Sequence, residues 1–263
     1  MDKIQYRGKN SDVGPSPEIW WDSQINEYLL DPSQGFFVAD DFVNVAQDFG
    51  GTTQVAWDRY RAFASTGGSV ATPDVLGGAL TLSSDGDDEG AGLAQSNACF
   101  QLDRDVGTFW FEARLKVSTI ADTTLGFFLG LADATAMSAT SVIAAAGTLA
   151  DINFCGFHRL EADGDKVDTV YKADGVLQVD VENDMATLVA DTYIKLGMKL
   201  KDNVLTFYAN GVPSVTTKTI PTADGTDFPN DVRMGLILQV LNAAGSSPGT
   251  VSIDWWRAAQ TRV

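Results

Sequence analysis

Leu196–Thr219, LGMKLKDNVLTFYANGVPSVTTKT, decides the fold. Lys201-Asp202-Asn203 separates Leu196–Leu200 from Val204–Ala209, and Asn210-Gly211 turns the chain again toward Val215–Thr219. Asn-Gly between β-rich runs is the strongest short-range hairpin signal, because a type I′ turn needs positive φ at both central residues. In the middle strand, alternation sends Leu205, Phe207 and Ala209 to one face and Val204, Thr206 and Tyr208 to the other.

Working outward, Thr108–Val117, TFWFEARLKV, is the cleanest strand in the chain. Phe109, Phe111, Ala113, Leu115 and Val117 form an apolar face, and Thr108, Trp110, Glu112, Arg114 and Lys116 a face expected to be largely solvated. Trp110 is out of place on that polar side, where it would cover a loop, stack on a sugar or meet another subunit. Further strands are expected at Phe36–Val38, Val55–Phe63, Val75–Leu82, Leu93–Leu102, Leu125–Leu131, Ile152–Leu160, Val167–Lys172, Val176–Val181, Arg233–Leu241 and Thr250–Trp256. In the last of these, alternation groups Val251, Ile253 and Trp255 against Asp254 and Trp256. Ala132–Asp151 is Ala-rich and reads as one or two helical turns weakened by Gly147 and β-branched residues. Short strands punctuated by Gly and Asp every 8–12 residues predict an all-β, antiparallel two-sheet sandwich.

Residues 1–35 are different. Pro15-Ser16-Pro17 blocks regular structure. Ile19-Trp20-Trp21 is an apolar anchor in a polar surround, and Ile25, Tyr28, Leu29 and Leu30 suit a short amphipathic turn. The segment is expected either to fold back on its own domain or to act as an extended N-terminal arm that docks on a neighbour through Lys3, Arg7, Lys9, Trp20, Trp21 and Tyr28. The organisation expected is thus an arm over 1–35 and a β domain over 36–263.

The chain has 263 residues, with 35 acidic against 18 basic side chains and a formal net charge of −17. That balance argues against nucleic acid or an anionic membrane as the main partner, since both attract positive charge. It favours solubility, suits a cation or a basic partner, and is also a feature of halophilic adaptation. No apolar run follows the basic residues of Met1–Asn10, so no secretory signal is expected, and no run of 18 apolar residues occurs. Cys99 and Cys155 stand in apolar, strand-like surroundings and read as buried free thiols, with a single bridge the alternative.

Motifs for chemistry are few. Ser83–Gly90, SSDGDDEG, collects Asp85, Asp87, Asp88 and Glu89, hard oxygen ligands of the kind calcium takes, but without the spacing of an EF-hand loop, so a solvated turn is the default. His158 is the chain's one histidine, and no nucleophile elbow, phosphate loop, dinucleotide Gly motif or zinc-ligand spacing is present. No cofactor is expected.

From about Phe36 to Arg262 the order of features resembles a concanavalin A-like (laminin-G/lectin/glucanase) jelly roll. The residues that carry the resemblance are Val38-Ala39-Asp40-Asp41-Phe42, Gly78-Ala79-Leu80-Thr81-Leu82, the Phe109–Val117 strand, Gly126–Ala132, Gly156-Phe157-His158, the Asn210-Gly211 hairpin and Ile253-Asp254-Trp255-Trp256. The arrangement is similar to lectin-like virion proteins of tailed bacteriophages. The resemblance implies a non-enzymatic virion protein, made in the host cytoplasm and placed on the capsid surface as a decoration or cement protein. Its partners would be the major capsid protein or other virion proteins and further copies of itself, as a trimer or dimer. The alternative is a lectin-like, carbohydrate-binding module using Trp110 or Trp256 as aromatic platforms. Glucanases of this fold carry Glu-x-Asp-x-x-Glu on one strand; the nearest fragment here, Glu161-Ala162-Asp163-Gly164-Asp165-Lys166, puts Lys166 where the third carboxylate belongs and reads as a turn.

Overall fold

The computed structural model describes residues 12–262 apart from 44–48, 51–53, 58–59, 74, 85, 87, 105, 123, 134–141, 145–147 and 243–248. Two antiparallel sheets lie face to face. The front sheet runs Val212–Pro213, Val204–Ala209, Ile194–Lys201, Phe109–Val117, Gly249–Thr261, Leu80–Ser84, Gly68–Ala71, Phe49–Gly50. Gly35–Asp40 also pairs with the second half of Gly249–Thr261, and Lys218–Thr219 with Val204–Ala209. The back sheet runs Val179–Thr187, Lys166–Lys172, Phe154–Arg159, Gly126–Asp133, Arg233–Asn242, Glu89–Gln95, Tyr60–Ala64, Gln54–Trp57, with Phe100–Gln101 added beside Arg233–Asn242. This is the two-sheet sandwich that the alternation predicts, and the jelly roll that the resemblance implies.

The core lies between the sheets, built by the inward half of each strand. Phe109, Phe111, Ala113, Leu115 and Val117 face Leu129, Leu131, Phe157, Leu236 and Leu238 in one continuous cluster. The Phe157 and Phe207 rings meet edge to face at 5.4 Å across the two sheets.

The central stretch forms two successive two-residue turns. Lys201 pairs with Val204, leaving Asp202 (φ 51°) and Asn203 (φ 63°) as one loop. Ala209 pairs with Val212, leaving Asn210 (φ 49°) and Gly211 (φ 80°) as the other. Both turns have the positive φ pair of type I′ geometry, whose twist matches that of the flanking strands. The strand expected over Val215–Thr219 is instead two pieces, Val212–Pro213 and Lys218–Thr219, because Pro213 has no N–H to continue a ladder.

Other boundaries also differ. Val55–Phe63 is a hairpin, Gln54–Trp57 against Tyr60–Ala64, rather than one segment. Gly77 and Gly78 adopt positive φ, so strand structure in Val75–Leu82 begins only at Leu80. Residues 134–141 and 145–147 of the expected helical turns lie outside the described residues; beside them, Ile143 bridges antiparallel to Leu149. The register slips between Ile253 and Trp255, a bulge that inserts Asp254. Every side chain beyond it changes face. Trp256, not Trp255, therefore joins Val251 and Ile253 in the core, while Trp255 turns outward.

Candidate functional site

The outer face of the front sheet is built by the polar half of the strand alternation. Phe109–Val117 contributes Trp110, Glu112, Arg114 and Lys116, and Ile194–Lys201 contributes Lys195, Gly197, Lys199 and Lys201. Five of the chain's 18 basic side chains therefore gather on one face of a protein of net charge −17. Such a face attracts negative charge, and the polypeptide itself supplies it.

Residues 12–34 lie over this face. Two short helices, Pro17–Trp20 and Ile25–Leu30, bury Ile19, Trp20, Ile25 and Tyr28 against Trp110 and Ala259. Pro17 begins the first helix, where its missing N–H costs nothing. Gly197 makes the close approach possible: a Cβ there would sit 2.5 Å from Cδ1 of Ile19 and 2.8 Å from the carbonyl of Phe111. Of the two readings of the arm, folding back on its own domain describes residues 12–34.

Two carboxylates organise the contact. Glu112 is fully buried, and its Oε2 accepts the Ser16 N–H at 2.9 Å and the Trp20 indole N–H at 2.8 Å. Burial pushes its pKa up, against the opposing effect of those hydrogen bonds and of Lys195. Asp22 comes from the arm. Its Oδ1 accepts from Lys199 at 2.7 Å and from the Trp110 indole at 3.0 Å, and its Oδ2 from Lys201 at 2.6 Å. Burial alone would raise the Asp22 pKa, but the donated hydrogen bonds from Lys199, Lys201 and Trp110 together carry it below the usual carboxylate range. Backbone carbonyls complete the seam: Gly14 accepts from Lys195, Asp12 from Arg114 and Val13 from the Trp255 indole.

This geometry corrects several residue assignments. Trp20 and Tyr28 are buried intramolecular anchors, not free docking groups. Trp110 is not an open sugar platform; it is covered by the arm and spends its N–H on Asp22. Trp256 is buried in the core and donates to the Tyr60 hydroxyl at 3.1 Å, so it reaches neither a glycan nor a second subunit. Trp21 is the exception, 60% exposed, with Nζ of Lys199 and Lys201 at 5.7 and 5.6 Å from its ring. Lys3, Arg7 and Lys9, and Asp85 and Asp87 of the calcium candidate, lie outside the described residues. Asp88 is exposed at a positive φ of 54°, and Glu89 opens a back-sheet strand beside Asn242. Cys99 and Cys155 are both free. Burial raises both thiols' pKa, which keeps them poor nucleophiles.

A separate hollow of about 630 Å³ opens where the ends of both sheets meet, lined by Phe36, Cys99, Gln101, Arg233, Gln260 and Arg262 among others. Sequence reading missed it, because its residues come from four separate stretches of the chain. The Glu161-Ala162-Asp163 fragment forms a single 3₁₀ turn, as its Gly and Asp neighbours suggest. No helix among the described residues is long and apolar enough to cross a membrane.

No protein-family model and no curated protein matches the chain. Solved structures with the same fold include a protein of unknown function from Shewanella oneidensis MR-1, 10% identical over 88% of each chain with a TM-score of 0.56. They also include a β-glucanase from Bacillus licheniformis, at 15% identity over 88% of this chain and 99% of that one, TM-score 0.53. An endo-1,3-β-glucanase from Streptomyces sioyaensis is 14% identical over 88% and 97%, TM-score 0.54. The fold is therefore the concanavalin A-like jelly roll. A shared fold at such identities carries no activity with it.

Proposed function

We propose that the chain is a non-enzymatic assembly module, a decoration or cement protein of a bacteriophage capsid, that docks through the sequence preceding its sealed front face. One observation carries the non-enzymatic part. Glu112 is the only carboxylate of the Phe109–Val117 strand, and it is spent holding Ser16 and Trp20. Retaining glycoside hydrolysis needs two carboxyl groups about 5–5.5 Å apart that are open to substrate. The capsid setting rests on the sequence resemblance. In that reading residues 1–11, with Lys3, Arg7 and Lys9 against one acid, Asp2, meet the body at Asp12 beside Arg114 and reach an acidic neighbour.

The test is co-sedimentation with capsid shells that lack the protein, using the full chain and a version starting at Asp12. The full chain should saturate at a fixed copy number per lattice unit, and the shortened chain, its front face still sealed, should stay folded and bind at least tenfold more weakly. Equal binding by both removes the docking role of 1–11. Turnover of a glucan that Glu112→Gln abolishes overturns the whole reading.

A second reading has its own support. The exposed Trp21 indole, with Nζ of Lys199 and Lys201 at 5.7 and 5.6 Å from its ring, is a stacking surface suited to a sugar. A glycan array on the wild type and on Trp21→Ala distinguishes it, since only that reading expects binding that the substitution removes.

A further inference from the structure

At the far edge of the back sheet, His158 is 3% exposed, and neither ring nitrogen has a hydrogen-bond partner. That is an unusual state for a buried imidazole, which carries a donor and an acceptor when neutral and two donors when charged. Its surroundings are acidic. Asp168 stands directly opposite on the next strand, Asp163 closes the 3₁₀ turn that follows His158, and Asp180 comes from the edge strand. Nδ1 lies 3.7 Å from Oδ2 of Asp163, and Nε2 lies 3.9 Å from Oδ1 of Asp180. One ligand atom each from His158, Asp163 and Asp168 fall within 4.8 Å of one another.

We propose that His158, Asp163 and Asp168 form a binding site for a divalent transition-metal ion of the zinc class, with Asp180 facing the other ring nitrogen. One imidazole nitrogen with two carboxylate oxygens is a donor set for such an ion, where calcium and magnesium prefer oxygen alone. Charge points the same way, since three carboxylates outnumber the single charge the imidazole could offer. The neighbouring Arg159 spends its N–H donors on the carbonyls of Gly164, Leu125 and Ala121, although its charge is still felt at Asp163. Lys166 pairs with Asp165 at 3.3 Å. Two of the carboxylates are already oriented by the backbone: Oδ2 of Asp163 accepts the Leu160 N–H at 2.6 Å, and Oδ1 of Asp168 accepts the Asp184 N–H at 2.6 Å. Such outer contacts fix ligand carboxylates in known sites. Zinc bonds of about 2.0–2.1 Å require the donor atoms to close by roughly 1 Å from this arrangement. Bound, the ion ties Phe154–Arg159, the following turn and Lys166–Lys172 together near the sheet edge.

The experiment titrates chelator-treated full-length protein with Zn²⁺ by calorimetry, alongside Asp168→Asn, His158→Gln and, as competitors, Ca²⁺ and Mg²⁺. We expect one saturable site, at least tenfold weaker in either variant, and a melting temperature raised by about 5 °C at 100-fold excess over Kd. His158 is the only histidine, so its ring gives a single set of ¹⁵N resonances. In the unmodified protein these should shift on adding Zn²⁺ and reach a plateau at one equivalent. The proposal is overturned if no saturable site appears, if Ca²⁺ competes equally, or if the ring resonances stay in place at saturating Zn²⁺.

Discussion

The outer faces of the two sheets treat charge in opposite ways. On the front face, Glu112 and Asp22 bind donors from the arm and the sheet in one seam: Glu112 takes Ser16 and Trp20, and Asp22 takes Lys199, Lys201 and Trp110. At the edge of the back sheet, the His158 ring nitrogens make no hydrogen bond, only long contacts of 3.7 Å to Asp163 and 3.9 Å to Asp180. Carboxylates that accept short hydrogen bonds from several donors hold structure, whereas a buried imidazole with only long contacts to carboxylates leaves room for a cation between them. The front face therefore reads as a closed interface within the chain, and the back edge as the place to look for a ligand.

The largest effect should come from breaking the front seam. Deleting residues 1–30 removes Ile19, Trp20, Ile25 and Tyr28 and bares Trp110 and Ala259. Burying each large apolar side chain is worth roughly 1.5–3 kcal/mol, so the deletion costs on the order of 6 kcal/mol or more. Urea unfolding of the truncated chain should show a much lower midpoint or no cooperative transition. A midpoint like that of the full chain would mean that the arm is a dispensable appendage.

Smaller, but still large, is Asp22→Asn. It leaves Lys199, nearly buried, without its anion and weakens the bonds to Lys201 and Trp110. Uncompensated charge of this kind costs about 2–3 kcal/mol, read as a melting temperature about 4–12 °C lower at neutral pH. Because the folded-state pKa of Asp22 is depressed, its contribution is present above the ordinary carboxylate value and is lost as pH falls through the folded value. The variant and the wild type should therefore converge in acid. A constant gap down to the lowest pH at which both fold would contradict this.

How much of this was legible in the chain depends on what each residue reports. The sandwich was, because alternation in Phe109–Val117 and the turn pairs Asp202-Asn203 and Asn210-Gly211 are local signals. The sealed face was not, because the same alternation marks Trp110 and Glu112 as outward without saying that residues 12–30 cover them. The tryptophan out of place on a polar face was the available hint. Trp255 and Trp256 were exchanged because one bulge at Asp254 inverts the pattern, and a bulge leaves no mark in residue type. The Val179–Thr187 strand, VDVENDMAT, extends well past the predicted Val181, since an edge strand is protected by polar residues rather than announced by apolar ones. The His158 cluster draws on three separate segments, and only strand register sets His158 opposite Asp168.

Glu112→Gln gives a finer cut through the front seam. Burial raises the folded pKa of Glu112 above its value in the unfolded chain, so between those two values the folded state holds more protons than the unfolded one. Stability from this group therefore falls as pH rises through that window, and the cost of its buried charge stays in place above it. Glutamine keeps an oxygen for the Ser16 and Trp20 donors and carries no charge. The expected outcome is a variant within about 1 kcal/mol of wild type at neutral pH, with a flatter stability profile above pH ~4.5. A loss well beyond that, with the wild-type slope retained, would show that the carboxylate charge itself holds the arm, as it does at Asp22.

The smallest change should be Trp21→Ala, and its smallness is what makes it informative. Trp20 and Trp21 are adjacent in sequence, yet one is sealed into the seam and the other is 60% exposed. Removing an exposed side chain that anchors nothing usually alters stability by no more than about 0.5 kcal/mol. The ring lies over Lys199 and Lys201, so loss of those cation–π contacts sets the upper end of that range. If the melt is unchanged, the indole is free for an external partner, and any glycan or protein affinity lost with it belongs to the outer surface of the arm. If the melt instead drops by several degrees, Trp21 belongs to the seam, and the front face is closed more completely than its exposure suggests.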